Sequence, residues 1–214
     1  MNEDIIAIEK STKKEQIYKF YKKNKNRIFL SILVVIIFSF SILFYIDFKK
    51  KIKLKLSDQY VKASILLNYG NRQEATNNLK EIVLSDDGTY STLALFLMIN
   101  QNLIEDKREI ENLFNHVINN NKFDEEIKNL LIFKKALSIL EFEEENKILQ
   151  TLNPLIKSNS VWKPHALILL GDYFFYKKNF IKAREFYSQV LLTKNANEDL
   201  YQQAILQIGI MSSD

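Results

Sequence analysis

An uninterrupted apolar run from Ile28 to Ile46 limits what this chain can fold into more than any other stretch. Its nineteen residues include no charge, no proline and no glycine, and their polar groups are three serine hydroxyls and the hydroxyl of Tyr45. As an α-helix the run would be about 28 Å long, which matches the roughly 30 Å hydrocarbon core of a bilayer. We therefore predict a transmembrane helix over residues 28–46, in preference to a buried core helix.

A cleaved signal peptide is the other structure that such a run could form. The apolar region of a signal usually covers about 7–15 residues and ends at a small-residue cleavage site. Here the run is longer and leads directly into Asp47, Phe48 and Lys49. The sequence therefore favours an uncleaved anchor, with a short segment before it and a domain after it.

The charge of the chain is divided unevenly between these parts. Residues 1–27 carry eight Lys or Arg against four Asp or Glu, and residues 47–56 carry five Lys against Asp47. Residues 57–214 carry seventeen basic and twenty-one acidic residues, so the domain is acidic although the whole chain has a net charge of +4. A nucleic-acid-binding domain needs basic residues clustered on its folded surface. We therefore expect no nucleic-acid partner.

The flanks of the span also bear on its orientation, because the flank richer in Lys and Arg usually faces the cytoplasm. The fifteen residues before the span carry seven Lys or Arg, and the fifteen after it carry five. This favours a cytoplasmic segment 1–27, a basic linker helix 47–56 and a domain outside the cytoplasm. The reverse orientation, in which the domain is a receptor facing the cytosol, remains the alternative.

Helical periodicity continues through the domain. Four glycines and two prolines in 214 residues leave few chain breaks beyond helix ends, which favours an all-α fold. Apolar stripes and turn signals predict helix pairs whose second helices start at offsets of 35, 38 and 35 residues, near Arg72, Lys107, Glu145 and Phe180. Paired helices with a period close to 34 residues are the signature of tetratricopeptide repeats. We predict a tetratricopeptide-like α-solenoid of about four helix pairs with a C-terminal capping helix.

The stretch from Leu167 to Leu192 shows the repeat spacing most clearly. Gly171 and Ala183 are small where two helices would cross closely, and large apolar residues fill the space around them. The predicted repeat-packing residues are Leu167, Leu170, Gly171, Phe174, Phe180, Ala183, Tyr187 and Val190. In the two middle repeats larger residues stand at one or both of these positions, which predicts wider crossings.

The layout of a short charged segment, one span and degenerate repeats resembles the YfgM-like family of bacterial inner-membrane proteins, ancillary subunits of the SecYEG translocon. The resemblance covers nearly the whole chain and looks most like the alphaproteobacterial branch. Its strongest local match is Leu155–Gln189, with Asn159-Ser-Val-Trp162 before the repeat and Asn179-Phe-Ile-Lys-Ala183-Arg184-Glu185 within it. The resemblance implies a periplasmic domain over 57–214 and, as partners, the SecYEG translocon, periplasmic chaperones or secreted clients.

Catalysis and metal binding have little support in the sequence. His116 and His165 are 49 residues apart, without the spacing of a metal-binding motif. The acidic run around Glu143 lacks the alternating oxygen ligands of a calcium loop, and the chain has no cysteine. We expect no enzyme activity, no cofactor, no metal site and no small-molecule substrate.

Three aromatic residues are candidates for contact with a partner. Trp162 either packs against the preceding repeat or anchors a partner, since Trp is enriched at interface hot spots. Tyr173 and Tyr176 belong to a run of four aromatic residues, which cannot all face one side of a helix.

The predicted function is a membrane-anchored protein-binding module beside the translocon. A scaffold for envelope assembly or cell division and the cytosol-facing receptor are the alternatives.

Overall fold

The computed structural model describes the backbone of residues 2–194 and 196–212, and the side chains in these ranges except at residues 2–17, 19 and 28. The described residues form nine α-helices: α1 (Asn2–Asn68), α2 (Arg72–Val83), α3 (Gly88–Asn100), α4 (Lys107–Asn120), α5 (Glu125–Ile139), α6 (Glu145–Lys157), α7 (Lys163–Tyr176), α8 (Phe180–Leu191) and α9 (Glu198–Ile210). The all-α prediction is confirmed. The four predicted starts of the second helices coincide with the first residues of α2, α4, α6 and α8.

The chain divides inside α1 into two compact units, Met1–Lys55 and Leu56–Asp214. Among the described residues, Phe29–Asn68 is the one stretch of helix that is long and apolar enough to cross a membrane, and none of its most apolar window is buried. It is therefore a candidate span by length and composition. Of the predicted parts, the side chain of Ile28 and most side chains of segment 1–27 lie outside the part of the chain that the structure describes.

Serine hydroxyls inside the apolar run are satisfied by the helix itself. Ser31, Ser39 and Ser41 each donate a hydrogen bond of 2.9 Å to the carbonyl four residues earlier. A hydroxyl bonded in this way adds little polar surface to a helix in an apolar solvent. The serines are therefore compatible with a lipid environment.

Asp and Asn side chains begin several helices of the second unit. Asp87 accepts hydrogen bonds from two backbone N–H groups of α3, and Asp106 and Asn179 each accept one at the starts of α4 and α8. Asn71 stands at the same position before α2 but makes no such bond, and its amide instead donates to Glu74 at 2.8 Å. These caps satisfy N–H groups that have no partner within the helix.

Two clusters of buried apolar side chains form the interior of the second unit. The first cluster joins the end of α1 to α2, α3, α4 and Leu131 of α5. The second joins Ala136 and Ile139 of α5 to α6, α7, α8 and Ala204 of α9. Helix α5 therefore contributes to both cores, as expected for an array in which each repeat is stabilised by its neighbours.

Candidate functional site

The helices of the second unit lie in two layers. We call the part of α1 from Leu56, together with α3, α5, α7 and α9, the odd layer. Its neighbouring helices meet through rings: the centroids of Tyr60 and Tyr90 are 6.4 Å apart, and those of Phe133 and His165 are 6.0 Å apart. Helix α9 packs beside α7. The odd layer is therefore held by apolar and aromatic contacts.

The even layer consists of α2, α4, α6 and α8, and ion pairs join its neighbouring helices. The distance from Lys80 Nζ to Glu109 Oε1 is 2.6 Å, between α2 and α4. The distance from Glu111 Oε1 to Lys147 Nζ is 2.7 Å, between α4 and α6. The pair of Glu145 and Lys182, at 2.5 Å, joins α6 to α8. Every step along the even layer thus carries an ion pair.

Glu111 is the most buried member of this series, with 15% of its side chain exposed. It also contacts Lys135 of α5, at 3.0 Å, so that one carboxylate ties both layers together. Burial raises the pKa of Glu111, but the hydrogen bonds and charges of Lys147 and Lys135 outweigh that effect and hold its pKa below the usual range. Glu111 is therefore a structural charge that is ionised at neutral pH.

The odd layer exposes large apolar side chains that α2, α4 and α6 do not. They are Val61 and Ile65 in α1, Leu93 in α3, Ile127 and Leu137 in α5, Tyr176 in α7, and Tyr201, Ile205, Leu206 and Ile210 in α9. Charges are scarce in three of these helices, since α3 has none and α7 and α9 have two each, whereas α5 has five. Apolar surface of this kind, rimmed by polar residues, is typical of sites that bind other proteins.

A cleft in the odd layer lies between the N-terminal halves of α3 and α5. Its volume is about 620 Å³, and its lining residues are Gly88, Thr89, Thr92, Leu93, Lys122, Phe123, Asp124 and Ile127. Gly88 permits this arrangement, because a Cβ at that position would stand only 3.2 Å from Cε1 of Phe123. Leu93 and Ile127 are 43% and 45% exposed, so the cleft offers an apolar floor to a side chain of a partner.

The predicted repeat-packing residues lie between α7 and α8. Leu167, Leu170, Gly171, Phe174, Ala183, Tyr187 and Val190 are all buried. Gly171 faces the ring of Tyr187: a Cβ on Gly171 would stand 2.6 Å from Cδ1 and 2.8 Å from Cζ of that ring. The glycine therefore makes room for an aromatic ring as well as for a close helix crossing.

Two of the predicted site residues are placed differently from the prediction. Phe180 is 44% exposed and makes an edge contact with the ring of Phe175, at 5.6 Å between centroids. Its place in the first turn of α8 leaves one side of the ring in solvent. Tyr173 is only 7% exposed, because it lies on the side of α7 that packs into the second core cluster. Its ring is therefore not available for contact with a partner in this structure.

The other two aromatic candidates have contrasting surroundings. Trp162 is half-buried and stacks on Phe133 of the preceding repeat, at 5.7 Å and 26°. Tyr176 is 83% exposed. A partner contact stays a prediction for both residues, and Tyr176 has more surface to offer.

A polar pair crosses from α7 to α8 beside the repeat core. The hydroxyl of Tyr187 donates a hydrogen bond of 2.6 Å to Asp172. Burial raises the pKa of Asp172, although the hydrogen bond from Tyr187 acts in the opposite direction. Burial and the nearby carboxylate also raise the pKa of Tyr187. The pair fixes the ring that covers Gly171, so its role is structural.

The described residues offer no arrangement suited to metal-assisted chemistry. No group of three or more His, Asp or Glu side chains that could hold a metal ion occurs in this part of the chain. His116 Nε2 lies 2.9 Å from Asp86 Oδ1, and His165 packs against the rings of both Trp162 and Phe133. Each histidine is thus accounted for by local packing.

Apart from Tyr176, sequence reasoning did not single out the exposed apolar residues of the odd layer. A signal was present in α3, whose thirteen residues include no charge. A surface helix of a globular protein normally keeps a charged or polar face opposite its apolar stripe. The apolar residues of α3 are more than one stripe can hold, because the helix packs against neighbours on several sides and also leaves Leu93 exposed.

Comparison with known families identifies one match. A sequence model of the tetratricopeptide repeat-like domain matches residues 18–211, which is most of the chain. No curated protein and no solved structure matches the sequence significantly. The match agrees with the paired helices, their period and the packing around Gly171.

Proposed function

Because the chain belongs to the tetratricopeptide repeat-like domain family, whose repeat arrays present extended binding surfaces, we propose that it is a membrane-anchored protein-binding module that works beside the SecYEG translocon. The observation that carries the proposal is the exposed apolar surface of the odd layer, from Val61 to Ile210. The even layer by contrast is lined by ion pairs. Partners bind to the odd layer, where burial of apolar side chains supplies the driving force.

The apolar run of α1 acts in this proposal as a tether. It holds the domain on the periplasmic side, close to the point where secreted chains leave the translocon, with residues 1–27 in the cytoplasm. Tethering raises the effective concentration of a weak binding surface without any new contact. The domain then links the translocon to periplasmic chaperones or to clients. The richer basic flank on the N-terminal side and the resemblance to the YfgM-like family support this orientation.

Site-specific photo-crosslinking in cells tests the binding surface. A photoreactive residue is placed at Leu93, Leu137 or Ile205 of the odd layer. Matched controls carry it at exposed, uncharged positions of the even layer, namely Asn77, Asn112 and Gln150. We expect adducts with translocon subunits, periplasmic chaperones or secreted chains at the odd positions, and few at the even positions. Equal yields from both layers would contradict the proposed surface.

The identity of the partners and the side of the membrane are tested separately. Adducts with division proteins, together with a mid-cell position of the protein, would favour the scaffold over the translocon partner. A phosphatase reporter fused after Asp214 is expected to be active, since it requires the oxidising periplasm. An inactive reporter on a stable fusion would support the cytosol-facing receptor.

A further inference from the structure

Five lysines follow the apolar run within the first unit. We call Lys49, Lys50, Lys51, Lys53 and Lys55 the lysine collar. All five are exposed, and the one acidic residue among residues 47–55 is Asp47, whose Oδ2 lies 2.8 Å from Lys51 Nζ. The side-chain hydrogen bond and the charge of Asp47 raise the pKa of Lys51. The collar therefore keeps four positive charges in excess at neutral pH.

The lysines point to all sides of the helix. Consecutive residues of an α-helix are separated by about 100° around its axis. Lys49, Lys50 and Lys51 therefore point in three different directions, and Lys53 and Lys55 lie between or near them. A helix that lies flat on a membrane keeps its basic residues on one face. A collar distributed around the axis suits a helix that passes upright through a layer of negative charge.

The first three lysines of the collar lie at the depth of that layer, and Lys53 and Lys55 lie beyond it but within about one Debye length of its charges. The collar begins three residues after Ile46 and ends nine residues after it, which is about 4–14 Å along the helix axis. The headgroup region of a bilayer extends about 5–8 Å beyond the hydrocarbon core. Lys49 Nζ lies 5.9 Å from the ring centroid of Tyr45, so this side chain runs back towards the apolar run, as the long stem of lysine allows.

We infer that the lysine collar binds anionic phospholipid head groups and gathers a shell of them around α1. The ligand is the phosphodiester group of lipids such as phosphatidylglycerol, on the side of the membrane that carries the domain. The inference rests on the proposed membrane anchoring. Charge complementarity and continuity with the apolar run favour lipid over free phosphate, because the charges surround a helix instead of converging on one point.

Lipid selectivity of the full chain tests the inference. The protein is reconstituted into phosphatidylcholine vesicles that contain a trace of spin-labelled phosphatidylglycerol or spin-labelled phosphatidylcholine. Electron paramagnetic resonance then gives the fraction of each lipid held at the protein. We expect phosphatidylglycerol to be preferred by roughly fivefold or more at low salt, since one lysine held near a charged bilayer surface supplies about that factor. The preference should decline towards unity in about 1 M NaCl.

Two variants isolate the collar. The first replaces all five collar lysines by glutamine. The control makes the same change at five exposed lysines of the second unit, namely Lys122, Lys128, Lys134, Lys157 and Lys178. The collar variant should lose at least half of the preference on a logarithmic scale, and the control should keep all of it. A collar variant with the wild-type preference overturns the inference, as does a wild-type protein that shows none.

Further measurements distinguish binding of lipid from binding of free phosphate. They also distinguish failure of the lysine collar from failure of the proposed membrane anchoring. Inorganic phosphate that removes the preference more strongly than NaCl of equal ionic strength would indicate a phosphate site and overturn the lipid shell. Resistance of the reconstituted chain to extraction at alkaline pH measures anchoring itself. A chain that fails to stay in the vesicles contradicts both proposals. A chain that stays without lipid preference contradicts only the collar.

Discussion

The two layers of the second unit differ in the interactions that join their neighbouring helices. In the odd layer, neighbouring helices meet through rings such as Tyr60 and Tyr90, and apolar side chains remain exposed. In the even layer, the surfaces of α2, α4 and α6 expose no large apolar residue, and ion pairs join each helix to the next. These three helices therefore leave little apolar surface in water, whereas the odd layer keeps apolar surface that a partner can bury. Helix α8 of the even layer differs, because Phe180 and Ile181 are exposed.

The comparison also shows where stability comes from. The ion pairs Lys80–Glu109 and Glu145–Lys182 have 32–44% of their side chains exposed, and such pairs contribute about 0–1 kcal/mol each. The apolar contact between the layers, by contrast, buries complete side chains in two cores. The layers are therefore expected to respond very differently to substitution. The predictions on stability below run from the largest change to the smallest, and a prediction on binding follows them.

Substitution of Gly171 by alanine disturbs the contact between the layers and has the largest expected effect. The new methyl group would overlap the ring of Tyr187, which is fully buried and has no room to move. Such overpacking costs typically about 1–3 kcal/mol and occasionally more, and we expect about 2–4 kcal/mol here. Denaturant unfolding followed by circular dichroism and by the fluorescence of Trp162 measures the loss.

The chain offers a matched control for this substitution. A Cβ at Gly209, in the last turn of α9, would meet no heavy atom within 4 Å. Alanine there should be neutral or should stabilise the domain by up to about 0.5 kcal/mol through its helix propensity. Equal effects of the two substitutions would show that Gly171 is not held by the ring contact.

Glu111 is the exception within the even layer, and its substitution by glutamine has the next largest effect. The change leaves Lys135, with 12% of its side chain exposed, without its carboxylate. Breaking a fully buried pair costs about 3–5 kcal/mol. Because Lys147 is 41% exposed, we expect about 1–3 kcal/mol in the free energy of unfolding. A loss below about 0.5 kcal/mol would place Glu111 with the ordinary surface pairs.

The pH dependence of stability tests the same carboxylate independently. The pKa of Glu111 is lower in the folded protein than its usual value of 4.5, so its contribution is fully present above that value. The contribution declines as the pH falls below 4.5 through the folded pKa. The difference in unfolding free energy between wild type and the Glu111→Gln variant should therefore shrink on acidification. Asp172 contributes equally to both proteins and cancels in the difference.

The repeat period could be predicted from the sequence because each helix pair has the same arrangement of apolar stripes and turn residues. It placed the starts of all four even helices, at Arg72, Lys107, Glu145 and Phe180. A helical pattern fixes the direction in which a side chain points, but the neighbouring repeat decides whether that direction is covered. This is why Tyr173 is buried and Phe180 is exposed, against expectation.

The ion pairs of the even layer carried a weaker signal in the sequence. Glu74, Glu109, Lys147 and Lys182 stand one residue before the positions that match Ala183, so they recur at the same offsets of 35, 38 and 35 residues. Each of them forms an ion pair in the structure. The repetition of charge could have been noticed, but the partners could not, because they lie on other helices and include both signs.

Substitutions in the turns that lead from the odd layer to the even layer should have a smaller effect on stability, and this effect should be a gain. Lys178, two residues before α8, has φ of 59°, whereas the equivalent position two residues before α2 is Gly70, with φ of 80°. A side chain other than glycine costs roughly 1–2 kcal/mol in this region, and the greater freedom of glycine in the unfolded chain offsets about 0.4–1 kcal/mol. Lys178→Gly should therefore stabilise the domain by about 0.5–1 kcal/mol. Asn102→Gly, at φ of 49°, should gain less because Asn tolerates this conformation.

Substitutions on the odd surface should change stability modestly and binding most, which is the sharpest test of the comparison. Leu93, Leu137 and Ile205 are 39–44% exposed, so replacement by serine removes a side chain that is partly buried, and each should cost about 1 kcal/mol. The same replacements remove apolar surface that a partner would bury, which is worth roughly 25 cal/mol for each Å². The triple variant should therefore still fold but lose its cross-links, as measured from a photoreactive residue at Tyr176.

The matched control replaces Asn77, Asn112 and Gln150 of the even layer by serine, and it should leave both folding and cross-linking unchanged. If this control lost its partners and the odd-layer variant kept them, the exposed apolar residues would not be the binding surface. The ion-paired even layer would then have to take that role.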